Sequence, residues 1–307
     1  MKLVASVSLP EDGYSVAYSP TGRCFAVGCS DGSALLVDSG SFTVLHALKS
    51  DRGRVQSCAF SPDGTLLATT SWDEIAKLWR VATGLKLRTL FGHTSCVMDV
   101  VFTGDGKHII SASFDETARV WDVATGTLLH TLSLPRQGYS VALSAAGTLL
   151  AVGCLGYEPT VALFDVAKGY TPLPTFKAHD ISWPAWFRLC FSPVAESAIL
   201  LTCSRNENKA KVWDLSDPLT ATAAPKPVGV LSGHTDCILD VRFSGDGALI
   251  ATASQDKTVK VWDALTGREL RTLTGHTEAV VSVAFHPTDD DVLVSCGDDG
   301  KTIIWTA

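Results

Sequence analysis

Histidine, serine and aspartate side chains recur in this sequence in a set that would suit hydrolytic chemistry. The set occurs twice in the same order, as His93, Ser113, Asp115 and Trp121 and again as His234, Ser254, Asp256 and Trp262. A serine nucleophile, a histidine base and an orienting aspartate are the parts of an acyl-transfer site. An enzyme needs one such site, whereas repetition in separate segments indicates a structural hydrogen-bond network, because buried polar groups must be paired. We therefore interpret both sets as structural and expect no catalytic residue.

The segments that hold these residues belong to a repeat that runs along the chain. An aromatic or apolar residue ends a strand-like segment such as TVKVWD seven times, at Val37, Trp79, Trp121, Phe164, Trp213, Trp262 and Trp305. The gaps between them are 42, 42, 43, 49, 49 and 43 residues. Each period contains short alternating segments separated by Gly, Asp and Thr-Gly turns, which predicts four short strands per period.

This repeat resembles the WD-repeat family. The resemblance is clearest in GHTSCVMDVVFTGDGKHIISASFDETARVWDVATG, from Gly92, and GHTDCILDVRFSGDGALIATASQDKTVKVWDALTG, from Gly233, and it covers the whole chain. It implies an all-β, seven-bladed β-propeller in which four-stranded blades surround a channel. We expect one domain over residues 1–307, with repeats near 12–48, 53–90, 95–132, 137–176, 181–231, 236–273 and 278–306. Residues 3–9 precede the first repeat, and we expect them to complete blade seven and so close the ring.

The resemblance also implies the role of the recurring polar set, which would form a tetrad of His, Ser, Asp and the indole N–H. Some blades depart from it: Gly297 stands where blade seven is expected to have a serine, and no histidine precedes Ser71 in blade two. His179 in blade five has an uncertain acid partner in the turn RNENK, and blades one and four have Leu-Pro in place of Gly-His. We expect blades one, four and five to depart most from regular geometry.

Composition restricts the possible partners. The chain has 25 basic and 32 acidic residues and a formal net charge of -7, which argues against nucleic acid and membrane as partners, since both usually require a basic surface. Nine cysteines without a C-x-x-C pair lie mostly in apolar segments, which indicates reduced core residues of an intracellular protein. Phosphate-loop, dinucleotide and metalloprotease motifs are missing, so we expect no cofactor and no metal. The expected location is the cytoplasm, with the nucleus as an alternative.

Aromatic residues on one face of the propeller are the candidate protein-binding site. By the family's geometry, that face carries the turns before the third strand of each blade and the loops into the first strand. Large side chains in shallow pockets carry most of the energy of an interface. The candidates are Trp72, Phe114 and Tyr157 in the turns; Tyr14, Met98, Tyr139 and Phe187 near the channel mouth; and Trp183 and Trp186 in an insertion in blade five. The mouth residues could instead plug the channel or pack between blades, and the insertion could lie over the channel.

The favoured function is a non-catalytic scaffold or adaptor. It would bind protein or peptide partners in a multiprotein complex through the aromatic face, with the propeller itself monomeric. An alternative is a reader of arginine-containing, histone-tail-type peptides in a chromatin complex, with the arginine clamped between rings at the channel mouth; Met98 and Leu239 weaken this alternative. A ubiquitin-ligase substrate receptor is less favoured, because the arginine three residues after the repeat Trp is replaced by Ala82, Ala124, Ser216 and Leu265. A propeller enzyme is also less favoured, because no acid, base or metal ligand set can be named.

Overall fold

The computed structural model describes residues 1–49, 53–156, 158–179, 187–216 and 225–306. These residues form seven antiparallel sheets of four strands each. The chain starts with β1 (Lys2–Ser8). Blade one then consists of β2 (Gly13–Tyr18), β3 (Cys24–Cys29), β4 (Ser33–Asp38) and β5 (Val44–Lys49), and blade two of β6 (Val55–Phe60), β7 (Leu66–Ser71), β8 (Ala76–Arg80) and β9 (Leu85–Leu90).

The remaining blades follow the same order. Blade three consists of β10 (Val97–Phe102), β11 (His108–Ser113), β12 (Thr117–Asp122) and β13 (Leu128–Ser133), and blade four of β14 (Gly138–Leu143), β15 (Leu149–Cys154), β16 (Thr160–Asp165) and β17 (Thr171–Lys177). Blade five consists of β18 (Phe187–Phe191), β19 (Ile199–Ser204), β20 (Lys209–Asp214) and β21 (Pro227–Ser232), and blade six of β22 (Ile238–Phe243), β23 (Leu249–Ser254), β24 (Thr258–Asp263) and β25 (Glu269–Thr274). Blade seven contains β26 (Val280–His286), β27 (Asp289–Gly297) and β28 (Lys301–Thr306).

The first strand of each blade lies at the centre of the ring. Each of these inner strands contacts the inner strand of the next blade, and β26 contacts β2, so the ring is closed. A cavity of about 370 Å³ is lined by residues from all seven inner strands, which therefore surround a channel. The outer strands are mostly exposed; β5, for example, buries one residue, Leu48. This arrangement confirms the expected all-β, seven-bladed propeller.

The N-terminal strand completes blade seven. In that sheet the strand order is β1-β28-β27-β26, and β1 pairs antiparallel with β28, including Val7 with Thr302. Val7 is buried in an apolar cluster with residues of blades one and seven, including Phe25 and Ile304. The first residues of the chain thus join its last strand, as expected, and the ring has no unpaired seam.

Local turn chemistry explains why the strands begin and end where they do. In blade three, Asp105 accepts hydrogen bonds from the Thr103 hydroxyl at 2.7 Å and from the Lys107 N–H at 3.0 Å. Gly106 in the same turn has a φ of 69°, a conformation that glycine adopts without strain. Side-chain acceptors and a left-handed glycine favour a tight hairpin over continued extension.

Apolar side chains from neighbouring blades pack face to face between the sheets. One cluster joins Ala26 and Leu36 of blade one to Val55, Leu67 and Trp79 of blade two, and the same pairing continues around the ring. No helix in the described parts of the chain is long and apolar enough to cross a membrane.

Candidate protein-interaction face

The recurring polar set forms a buried tetrad, with one member different from the expectation. In blade three, Trp121 Nε1 donates to the Ser111 hydroxyl at 2.9 Å, and the same hydroxyl lies 2.7 Å from His93 Nε2. His93 Nδ1 lies 2.7 Å from Asp115 Oδ2. Because a carboxylate only accepts, Nδ1 carries the proton and Ser111 donates to Nε2. The expected member, Ser113, is wrong. In blade six, Thr252 likewise takes the role expected of Ser254, contacting His234 at 2.7 Å and Trp262 at 2.9 Å.

The sheet register explains the correction. Trp121 lies opposite Ile109, so Ser111 is its diagonal neighbour on the same face, within reach of the long indole ring. Ser113 lies two residues beyond Ser111, at the end of β11. Its hydroxyl donates to the Ser95 carbonyl at 3.1 Å and accepts the Asp115 N–H at 3.1 Å. Ser113 therefore ties the loop to the turn, while Ser111 ties the histidine to the tryptophan.

Blades five and seven also contain a complete tetrad, contrary to the expectation for both. In blade five, His179 lies 2.8 Å from Glu207 Oε2 and 2.9 Å from the Thr202 hydroxyl, to which Trp213 donates. In blade seven, His276 and Trp305 share the hydroxyl of Ser295, and His276 contacts Asp299 at 3.0 Å. Position 297 cannot accommodate the serine that was expected there, because a Cβ at this position would collide with the Ala279 carbonyl.

Blade two has no histidine directly before its first strand, and its turn aspartate, Asp73, forms an ion pair with a buried lysine. Lys77 Nζ lies 3.5 Å from Asp73 Oδ2, and the side chains are only 2% and 10% exposed. Trp79 Nε1 still donates to a hydroxyl, that of Thr69, at 2.9 Å. Blades one and four have Val37 and Phe164 in place of the tryptophan, as the sequence indicated.

The electrostatics of the tetrads suit a structural role. Burial lowers the pKa of His93, His234 and His276, against the opposing effect of their aspartate partners, so the imidazoles stay neutral near pH 7. Burial would raise the pKa of Asp115, but hydrogen bonds from Thr117 and His93 lower it, so the carboxylate stays charged. Ser111 is 0% exposed and cannot reach a substrate. The arrangement can hold a turn in place, and it lacks the access that a nucleophile requires.

Among the described candidates, Trp72 is the most exposed aromatic residue, and it is held in place. Its side chain is 42% exposed. Its indole N–H donates to Gln56 Oε1 at 3.1 Å, and the guanidinium carbon of Arg54 lies 3.6 Å from its ring centroid. Arg54 also lies 4.4 Å from the ring centroid of Tyr14 and donates to the Tyr14 hydroxyl at 2.8 Å. The guanidinium is therefore stacked between two of the predicted site residues.

The other described candidates are less accessible. Phe114 is half-buried and its ring centroid lies 6.2 Å from that of Tyr139, which is 3% exposed. Tyr14 and Tyr139 do line a cavity of about 70 Å³ at the channel mouth. Met98 and Phe187 are 1% and 0% exposed, so neither offers a surface to a partner. Phe187 packs in a cluster between blades four and five, because alternate inner-strand residues point between the sheets.

Three candidates, Tyr157, Trp183 and Trp186, lie outside the described residues. Within the described ranges, no group of three or more His, Cys, Asp or Glu side chains is arranged to hold a metal ion. All nine cysteines are free.

A polar network in the channel was not anticipated from the sequence. The Asp99 carboxylate accepts from the Ser57 hydroxyl of blade two at 2.6 Å and from the Ser140 hydroxyl of blade four at 3.0 Å. Arg188 of blade five lies 3.6 Å from the same carboxylate. The aspartate within VMDVVF, repeated in ILDVRF, was the available signal, since a charge in an apolar inner strand requires partners.

A second missed feature is Phe91, which is 74% exposed immediately after β9. Phe91 follows the buried Leu90. In the other six outer strands, the residue after the equivalent buried apolar residue is polar: Ser8, Lys49, Ser133, Lys177, Ser232 and Thr274. Aligning the seven outer strands would have revealed it, because only blade two has a large apolar residue there.

The ring of seven four-stranded sheets, closed by the terminal strand and supported by buried tetrads, defines this chain as a β-propeller. A family model described as "WD domain, G-beta repeat" matches residues 3–38, 42–80, 84–122, 225–263 and 267–306, which is more than half of the chain. The chain belongs to the WD-repeat family.

Curated relatives match over parts of the chain. A stretch covering 34% of it is 35% identical to the transcriptional corepressor LEUNIG_HOMOLOG of Arabidopsis thaliana, and covers 13% of that protein. A stretch covering 27% is 40% identical to the protein transport protein SEC13 of Mycosarcoma maydis, and one covering 24% is 39% identical to the COMPASS component SWD3 of Saccharomyces cerevisiae. Each of these last two stretches spans 24% of the relative. The matches thus span a quarter or less of these relatives' length.

Proposed function

We propose that this propeller is a non-catalytic scaffold that binds protein partners through the face that carries Trp72 and Phe114. The observation that carries the proposal is the state of Trp72, which is exposed and yet fixed by Arg54 and Gln56. A large aromatic side chain that is already ordered loses little conformational entropy when a partner covers it. Such residues supply most of the energy in known interfaces.

Two relatives support an interaction role. One is named as a transcriptional corepressor and the other as a component of COMPASS, and a corepressor and a component both act together with other proteins. We propose by analogy that this chain also works within a multiprotein complex. The free, mostly buried cysteines favour a reducing compartment, the cytoplasm or the nucleus.

The reader of arginine peptides is the weaker proposal. Its clamp would require free aromatic faces at the channel mouth. The faces of Tyr14 and Trp72 are stacked on Arg54, and Arg188 lies 5.4 Å from the ring centroid of Tyr139. An incoming arginine would therefore compete with side chains of the protein itself.

The test is affinity capture from native lysate with the full chain and two variants of equal thermal stability. Trp72→Ala/Phe114→Ala removes the proposed site, and Leu128→Ala/Leu129→Ala removes two residues that are 41% and 44% exposed on the outer strand β13. We expect a set of proteins to be lost from the first variant and retained by the second. Capture of the same set by all three proteins would show that the proposed face is not the binding site.

A further inference from the structure

One position of the inner strands is polar or charged in all seven blades. In each blade this residue pairs with the next-to-last residue of the second strand. The seven residues, here called the polar belt, are Ser15, Ser57, Asp99, Ser140, Arg188, Asp240 and Ser282. Their hydrogen bonds connect neighbouring blades: the Ser282 hydroxyl donates to Asp240 at 2.8 Å, and the Val16 N–H donates to the Ser282 hydroxyl at 3.2 Å. The belt therefore satisfies most of its polar groups internally.

Two residues further along the inner strands, one blade differs from the other six. Six blades have a small residue here and blade six has an arginine, the residues being Ala17, Ala59, Val101, Ala142, Cys190, Arg242 and Ala284. All seven line the channel cavity of about 370 Å³. The strands VMDVVF of blade three and ILDVRF of blade six show the difference directly, because Val101 and Arg242 stand at the same place. Small side chains leave the space of the cavity open, and one guanidinium lies in its wall.

The guanidinium of Arg242 is charged and only partly engaged. Burial acts to lower its pKa, but the Asp240 carboxylate raises it, so the cation is retained. In the described part of the chain its ion pair is a single contact, 3.5 Å from Nη2 to Asp240 Oδ1, and the Cys190 thiol is a further neighbour. The Arg242 side chain remains 31% exposed. Because a guanidinium carries five N–H donors, most of them are available to a group in the cavity.

The carboxylates of the polar belt are fully engaged. Asp240 accepts from the Ser282 hydroxyl at 2.8 Å and from two backbone N–H groups at 3.0 and 3.2 Å. Asp99 is likewise held by two hydroxyls and two backbone N–H groups. Arg188 and Arg242 balance the charges of these two aspartates. The cavity thus offers hydrogen-bond donors and does not carry a net negative charge that would repel an anion.

From this arrangement we propose that the channel cavity binds a small molecule with an apolar body and a carboxylate head group that pairs with Arg242. The walls around the arginine are mostly apolar, and include Val101, Leu143 and Phe243. The cavity volume falls within the range of about 300–1,000 Å³ that small-molecule sites occupy. A planar guanidinium can donate two parallel hydrogen bonds to one carboxylate, which selects this head group over a single-acceptor group.

The proposed site is separate from the protein-interaction face. The cavity is lined by residues near the ends of the inner strands, such as Phe285 and Pro287, whereas Tyr14 and Tyr139 lie where these strands begin. Trp72 is not part of its lining. A failure of either proposal therefore leaves the other unaffected.

The experiment is a titration of the full chain with octanoate, followed by methyl NMR. Octanoate combines an apolar chain with a carboxylate, and octylamine is the matched ligand with the opposite charge. We expect octanoate to shift the methyl signals of Val101 and Leu143, which line the cavity, and not those of Leu128 and Leu129, which are exposed on β13. Octylamine should bind more weakly by about tenfold or more, because Arg242 repels its head group.

Arg242→Val installs the residue of blade three and should weaken octanoate binding by about tenfold or more. Arg23→Val is its control, since Arg23 is exposed in the turn after β2 and does not line the cavity. Unmoved Val101 and Leu143 signals at millimolar octanoate would overturn the inference. Equal affinity of Arg242→Val for octanoate, or equal affinity of the native chain for octylamine, would also overturn it. The comparison of the two ligands needs no variant, so it decides even where Arg242→Val is unstable.

Discussion

The guanidinium of Arg54 is stacked on the exposed ring of Trp72, with its central carbon 3.6 Å from the ring centroid. The same side chain donates to the Tyr14 hydroxyl, so the residue just before β6 connects an inner-strand residue of blade one to the turn of blade two. The candidate binding face is therefore ordered before a partner arrives. This relationship is the basis of the first prediction.

Replacing Arg54 with methionine should free the Trp72 ring without unfolding the propeller. Methionine retains a long apolar stem, while the cation–π contact, worth about 0.5–2 kcal/mol, is lost. We expect the indole N–H signal of Trp72 to shift and broaden in NMR spectra, and partner binding to weaken severalfold. Arg88→Met is the control, since Arg88 is exposed and donates to the Ala124 carbonyl. An unchanged Trp72 signal would contradict the ordering role of Arg54.

The reassigned tetrad predicts different spectroscopic effects for two neighbouring serines. Ser111→Ala leaves the Trp121 indole N–H and His93 Nε2 without their partner, which should destabilise the propeller by about 1–3 kcal/mol. Ser113→Ala also removes hydrogen bonds, but none to the tryptophan. We expect the Trp121 indole N–H signal to move in the first variant and to stay in place in the second. The reverse result would restore Ser113 to the tetrad.

The fold was predictable from the sequence to a greater degree than the contacts were. The 42-to-49-residue period and its turns determine the number of blades, and β1 was recognisable as an extra strand because every repeat needs four. The tetrad serine could not be chosen from spacing alone, because the choice depends on the diagonal reach of an indole ring across a paired strand. Glu207 was missed because its turn has one more residue after the strand than the turn that holds Asp115, and the longer side chain spans the difference.

The candidate site was harder to predict than the fold. Alternation along an inner strand indicates which residues share a face, but at the centre of a ring both faces are enclosed, so Met98 and Phe187 are buried. Turn residues are more often exposed, and Trp72 follows that rule. Phe91 follows no periodic rule, and only comparison with the six other outer strands identifies it.

Three of the buried histidines predict that the propeller loses stability in mild acid. Burial lowers the pKa of His93, His234 and His276 in the folded state, so the unfolded chain binds more protons once the pH falls below about 6.5. The stabilisation is complete above that pH and is lost as the pH falls toward the folded pKa values. The pKa values of their aspartate partners are lowered below the usual range for aspartate. The first stability lost on acidification is therefore the part that the histidines contribute.

Thermal denaturation between about pH 7.5 and 5.5 tests this assignment. We expect the melting temperature to fall with pH, and His93→Gln to make that fall smaller while lowering stability at neutral pH. Leu129→Gln, at a position that is 44% exposed on β13, is the control, because it removes no titratable group. A pH dependence that survives in His93→Gln at full size would show that His93 does not contribute to it.

The Lys77–Asp73 pair predicts a strong dependence of one substitution on the other. Removing one partner of a buried pair leaves a charge in a poorly hydrated site and typically destabilises by about 3–5 kcal/mol. We expect Lys77→Met to lower stability, and Asp73→Asn in the same chain to recover part of the loss. A double-mutant cycle by chemical denaturation measures the coupling. Additive effects of the two substitutions would mean that the 3.5 Å contact contributes no coupling energy.

Closure of the ring predicts that the same substitution at two valines of β1 has a large effect at one and a small effect at the other. Val7 is 8% exposed within a cluster that joins blades seven and one, whereas Val4 is 52% exposed at the point where the register shifts. Val7→Asp places an unpaired carboxylate in an apolar site and should release β1 from β28, which would expose an edge strand and lower the melting temperature markedly. Val4→Asp should change it little.

Hydrogen exchange at β28 is the sharper measurement, because release of β1 exposes the amides of β28 that had pointed toward it while the rest of blade seven stays paired. Equal protection of β28 in both variants would mean that β1 is not what closes the ring.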